Sequence, residues 1–446
     1  MDQRQSKIGS VVRISVGNFL EMYDFMVFGY YATAIGHAFF PGRNNFLSLM
    51  LSLATFGAGY LMRPLGALIL GNYVDRHGRR TGMILVLSLM ALGTLSVACT
   101  PGYATIGVLA PLLVVAGRLI QGFSAGVEVG GASVYLAEIS TPGRIGFYTS
   151  WQSGSQQVAV MFAALIGLAV NSRLSPADMD RWGWRVPLLI GCLLIPFVLW
   201  LRRSLAETDA FLARKRHPST TEVWQTILTN WRLVILGMLM STLTTVTFYM
   251  ITAYTPTFGS TVLHLATVEN LIVTLCAGAS NFLLLPVMGF ISDKAGRRPQ
   301  MIVSALVALI TAAPLYLWLV SGPTFYKLLT VELWFSLIFA SYNGAAMAFL
   351  TEVMPAHVRT TGFSVAFSLA TAVFGGFTPA ISTALIRLTG NRAAPALWLS
   401  VAAVCALFAT VMLSPSRRAR ELERVTEQGS GSVDAVDELP VGNRQK

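Results

Sequence analysis

The sequence predicts an all-α membrane protein, with twelve transmembrane helices in two six-helix bundles. Three observations carry that reading. Of 446 residues, 54% are hydrophobic and only 12% charged, whereas a soluble domain carries about 25% charge to wet its surface. Apolar runs of roughly twenty residues, long enough to cross hydrocarbon as a helix, recur from end to end. None alternates as a barrel strand would, so helices are left to pair the backbone groups in lipid. Finally, two nearly matching charged turns, GNYVDRHGRR at 71–80 and GFISDKAGRR at 289–298, hold the same ordinal place in each set of six runs. Such a match marks a parallel repeat.

Apolar length and breakers place the spans near 13–36, 48–72, 82–101, 107–131, 145–171 and 184–201, then 232–257, 267–291, 299–320, 326–350, 361–387 and 394–414. The first run carries Glu21 and Asp24 and is followed by no small-residue cleavage site, so it reads as a retained span and not as a leader. Residues 1–201 form the first bundle, 202–231 a basic linker, 232–414 the second bundle and 415–446 a tail, with linker and tail cytoplasmic. Even parity puts both termini on one side. With that side inside, inner segments hold 23 of the 32 Lys and Arg residues, the bias that fixes orientation. The net charge of +11 therefore reports loop placement and not a nucleic-acid partner, which would need a contiguous basic face. The four cysteines lie in or at the ends of apolar runs and read as small hydrophobes. Tyr30, Tyr31, Trp182, Trp184, Trp231 and Trp398 lie near span ends, where rings anchor helices at headgroup depth.

Both charged turns fall on the inner side, between spans 2 and 3 and between spans 8 and 9. They read as gating latches. Gly78 and Gly296 permit a tight reversal, and each aspartate (Asp75, Asp293) is followed directly by a base (Arg76, Lys294). Arg79, Arg80, Arg297 and Arg298 can reach neighbouring carboxylates or lipid phosphate. Glu138 and Glu352, at the inner ends of spans 4 and 10, are the expected partners, with Arg359 a further member.

At this point the chain resembles the major facilitator superfamily, whose inner-loop pattern G-x-x-x-D-[RK]-x-G-[RK]-[RK] both turns match. NFLEMYDFMVFGYYA at 18–32, MRPLGALILG at 62–71, RLIQGFSAGVEVGGASVYLAE at 118–138 and YTSWQSGSQQ at 148–157 resemble its metabolite–proton symporter branch. The likeness is to citrate–proton and tricarballylate–proton symporters and covers roughly residues 8–414. It implies a two-bundle major facilitator fold, a central substrate site and proton-driven uptake of a small carboxylate. It also puts the proton on acidic residues of span 1 or 4. The expected setting is a multi-pass protein of the inner membrane, acting as a monomer.

Ionisable groups inside spans are costly and mark function. Five stand out: Asp24, Glu21, Arg63, Arg118 and Glu128. Asp24 and Arg118 lie roughly 17 Å into their spans, near the midplane. Arg118, Gln121 and Glu128 share a helix face, and Gly122, Gly126 and Gly130 recur every fourth residue, a spacing that admits a close helix. Arg118 reads as the substrate anchor, because its planar fork matches a carboxylate, or as a buried ion pair with Glu128 or a neighbour that steadies the bundle. Arg63 serves substrate contact or a pair with Asp24 or Glu21. Asn18, Gln121, Gln152 and Gln156 line the same cavity. The proton falls to Asp24, then Glu21, then Glu128, since burial disfavours a carboxylate that a nearby arginine favours. Spans 7 to 11 carry almost no in-span charge and offer Tyr249 and Asn343 as ligands. The alternatives are tricarballylate, a dicarboxylate, or betaine and proline; a sensor without transport would invest in a larger soluble segment. No phosphate-cradling loop, metal spacing or catalytic constellation appears, so neither cofactor nor enzyme activity is expected.

Overall fold

The computed structural model describes residues 18–42, 44–77, 79–126, 128–203, 225, 228–354 and 359–413, in places within 72–83 and 197–203 by backbone alone. Among these residues all regular structure is helical. Among the described residues nine helices are long and apolar enough to cross a membrane: Asn45–Gly71, Leu109–Glu138, Ile145–Asn171, Trp231–Thr261, Thr267–Ala295, Arg297–Val320, Phe325–Val353, Arg359–Thr389 and Pro395–Met412. Shorter apolar helices at Ile84–Cys99 and Arg185–Pro196 and the helical segment 18–39 occupy the remaining positions read from the sequence. These are called spans 1 to 12 in chain order.

Spans 2, 4 and 5 of the first half pack on spans 8, 10 and 11 of the second, while spans 3, 6, 9 and 12 pack within their own halves. Burial follows that division. Protein covers 78% of the apolar window in spans 7 and 10 but only 33% in span 9. Leu109, Leu112, Leu193, Ile310 and Leu388 present exposed apolar side chains, an outward face suited to lipid, which offers hydrocarbon and no hydrogen bonds. The protein is thus a multi-pass membrane protein.

Several central helices are interrupted. Span 1 turns at Tyr31, and π-helical segments cross span 7 at Met250–Tyr254 and span 11 at Thr371–Gly375. Such segments free backbone groups and gather at working sites. The turn between spans 8 and 9 is shorter than the sequence suggests, because helix runs to Ala295 and restarts at Arg297. Gly296 alone reverses the chain at φ +91°, a backbone state that costs glycine nothing. Gly78 of the matching turn lies outside the described residues.

Two expectations need correction. Trp184, Tyr30 and Tyr31 are buried, whereas Trp182 and Trp231 are exposed; Trp184 packs on Phe39 and under Arg185 and does not reach headgroups. Among the four free cysteines Cys99 is exposed and the other three are half-buried.

Candidate functional site

Spans 2 and 4 cross backbone to backbone. A Cβ on Gly122 would collide with the Gly59 carbonyl, one on Gly126 with the Arg63 carbonyl and one on Gly66 with the Phe123 carbonyl. Because the glycines let the helices touch, Arg63 and Arg118 enter one aromatic box. The Arg118 guanidinium lies 4.3 Å from the Phe25 ring centre and 4.5 Å from that of Phe28. Arg63 lies 5.1 Å from Phe25 and 4.7 Å from Tyr60. Tyr60 meets Tyr249 of the second half edge-on at 5.2 Å. Cations over ring faces keep favourable electrostatics where water is excluded.

The two arginines differ in partners. Arg63 is paired with Glu21, both 2% exposed, and Glu128 adds its charge to the surroundings of Arg63. Arg118 takes part in none of the described ion pairs. Its Nη1 donates to Gln121 Oε1 at 2.7 Å, Gln121 Nε2 donates to Thr94 Oγ1 at 2.9 Å, and Thr94 faces Asp24 Oδ2. Asp24 and Arg118 are thus the ends of one polar relay, a link that sequence spacing did not suggest because Thr94 comes from span 3. Arg118 Nε and Nη2 and Asp24 Oδ1 have no hydrogen-bond partner among the described residues.

Other candidates are buried without being tied to that relay. Asn18 Nδ2, Gln152 Nε2 and both amide atoms of Asn343 have no described partner. Gln152 Oε1 accepts from the Ser153 hydroxyl at 3.0 Å, and Gln156 is buried on the same helix. Gln157 meets Asn281 across the two halves at 3.5 Å. N–H groups dominate this set, and a carboxylate solute would supply the acceptors they lack.

The turn between spans 8 and 9, expected as a latch, makes more specific contacts than the sequence suggested. Asp293 accepts from the backbone N–H groups of Gly146 at 2.8 Å and Phe147 at 3.0 Å, so a carboxylate of the second half caps span 5 of the first. Arg297 pairs with Asp293 at 2.9 Å and with Glu352 at 2.8 Å, and Arg359 adds its charge near Glu352. Among the described residues Arg298 reaches no carboxylate; it donates to the Thr410 and Val411 carbonyls at the end of span 12, where the helix leaves acceptors open. Lys294 stands over Phe290 at 4.6 Å. Glu138 is exposed. The side chains of Asp75, Arg76, Arg79 and Arg80 lie outside the described residues.

One group escaped the sequence reading. Glu332 in span 10 is 4% exposed, which corrects the view that spans 7 to 11 hold almost no charge. The signal was there, a lone acid seven residues into the run that starts at Phe325.

Residues 14–377 match the Major Facilitator Superfamily. The chain belongs to that superfamily. Within it, the chain is 56% identical to a citrate-proton symporter of Salmonella typhi, over 92% of this chain and 94% of the relative. It is also 56% identical to a citrate-proton symporter of Klebsiella pneumoniae, over 92% of each. The crystal structure of a D-xylose-proton symporter superposes with a TM-score of 0.72 at 17% identity, covering 92% of this chain and 97% of that one. That likeness speaks for the superfamily fold. Members of the superfamily such as these are transporters, and the chain is accordingly a membrane transporter and not an enzyme.

Proposed function

We propose that this protein takes up citrate together with protons by alternating access across the inner membrane, with both termini in the cytoplasm. The observation that carries the reading is 56% identity over nearly the whole length to citrate–proton symporters. The site supports it chemically. Arg118 is the anion anchor, since two of its nitrogens have no partner among the described residues in a buried aromatic box, where a charge-assisted hydrogen bond is strongest. Asn18, Gln121, Gln152, Gln156, Tyr249 and Asn343 supply neutral contacts, and the Arg63–Glu21 pair steadies the box with Glu128 beside it. Asp24 carries the proton. Thr94 has one hydroxyl hydrogen but faces both the Met90 carbonyl and Asp24, so both contacts are satisfied only when Asp24 is the neutral acid. Proton and anion then share the Asp24–Thr94–Gln121–Arg118 relay. The two bundles, divided at 202–231, rock about this centre. The bias of Lys and Arg towards the side of the termini supports the orientation.

The test is uptake into proteoliposomes of labelled citrate, tricarballylate, succinate and betaine, with and without an imposed proton gradient. Citrate should accumulate only with the gradient, and D24N should lose accumulation while keeping citrate exchange. Betaine preferred over citrate, or uptake indifferent to the gradient, overturns the reading.

A further inference from the structure

Glu332 belongs neither to the relay around Asp24 nor to the inner latch. It lies about 10 Å from the outer end of span 10, taking 1.5 Å per residue, and it is buried. Its Oε1 is 2.8 Å from Thr255 Oγ1, and its Oε2 has no hydrogen-bond partner among the described residues. No Lys, Arg or His is paired with it among the described ion pairs. Among the described residues, Tyr316 of span 9 is its titratable neighbour and Tyr254 of span 7 lies beside Tyr316; the Tyr254 phenol in turn accepts from Thr383 of span 11 at 3.2 Å.

Thr255 decides what this means. Its Oγ1 also lies 3.0 Å from the carbonyl oxygen of Met250, the first residue of the π-helical segment Met250–Tyr254. A hydroxyl has one hydrogen to give. If Glu332 is ionised, Thr255 must turn to the carboxylate and leave Met250, and an anion stays buried with a single donor, a costly arrangement. If Glu332 carries a proton, the acid donates to Thr255 and Thr255 donates to Met250. Both observed contacts are then real hydrogen bonds. Thr94 stands between Met90 and Asp24 in the same way in the first half.

The segment that reads Glu332 also closes the outer side. Gly29 of span 1 sits so close to Ala253 that an added Cβ would lie 3.2 Å from the alanine methyl, and the Thr257 hydroxyl reaches the Gly29 carbonyl at 3.5 Å. We propose that Glu332 and Thr255 form a second proton site, in the second half of the protein, whose occupancy sets the hydrogen bonding of the span 7 π segment and thereby the closure of spans 1 and 7. A proton taken from the outer side binds Glu332, the Thr255 hydroxyl moves to Met250, and the segment settles against span 1. Release of that proton turns Thr255 back to the carboxylate and loosens the segment. No bond other than O–H is made or broken.

The decisive experiment is infrared titration of the purified full-length protein in liposomes, with D24N as the parent so that the Asp24 acid does not contribute, comparing it with the same protein carrying E332Q or T255V. The parent should show a carboxylic acid C=O band that bleaches as pH rises. E332Q should remove that band, and T255V should keep it with a displaced midpoint. A band unchanged by E332Q, or a parent with no such titrating band, overturns the proposal. This part needs no substrate, so it stands or falls separately from the citrate reading. In transport, E332Q should keep citrate exchange within about twofold of wild type while the pH profile of net uptake changes shape, the split that separates proton coupling from binding. A profile of unchanged shape, merely scaled in rate, assigns Glu332 a packing role and overturns the proposal. The T255V midpoint decides the matter even if E332Q folds poorly, because an unmoved midpoint breaks the link to Thr255.

Discussion

Arg118 has one bonded nitrogen, Nη1, directed at Gln121, and two that point at no described partner. The geometry distinguishes it from Arg63, whose charge is met by Glu21. A lysine at 118 would keep the charge and lose the paired donors of the planar fork. R118K is therefore expected to weaken citrate binding by about 2 kcal/mol, roughly thirtyfold, in equilibrium binding to the purified protein. Unchanged affinity would remove Arg118 as the anchor. The sequence pointed to both arginines by their depth alone. It left their partners open, because Asp24, Glu21 and Glu128 are all within reach of a long side chain until the helix rotations are known.

Among the elements, the crossing of spans 2 and 4 matters most. The four-residue repeat of Gly122, Gly126 and Gly130 was legible as a place for another helix, but not which helix. The structure splits the repeat, with Gly122 and Gly126 against span 2 and Gly130 against Ser364 of span 11. A methyl at Gly122 meets backbone, which cannot turn aside as a flexible side chain would. G122A should thus lower stability by about 1–3 kcal/mol, seen as a lower thermal midpoint in detergent, and should slow uptake by displacing Arg118. A variant as stable and active as wild type would mean that the two backbones do not come so close. The turn at Gly296 shows the opposite case, where the residue type by itself told the backbone state.

For the whole molecule, the two halves touch on both sides of the centre. At one end of the spans Ala380 of span 11 clusters with Leu49 and Leu53 of span 2; at the other, Asp293 caps span 5. An anion at a helix N-terminus is worth about 0.3–2 kcal/mol, so D293N should shift the balance towards an inward-open form by several fold. In a cysteine-free background carrying S150C, labelling by a membrane-impermeant thiol reagent from the inner face should rise in D293N; equal labelling would exclude a gating role for Asp293. The sequence by itself determined the helical class and the span positions, because bilayer thickness and the cost of charge in hydrocarbon act on each segment singly. Only the tertiary structure decided that Asp24 reaches Arg118 through Thr94, that Asp293 bridges the halves, and that Glu332 and Met250 both lie against the Thr255 hydroxyl. Those pairings depend on how helices distant in sequence rotate and approach, which no single segment encodes.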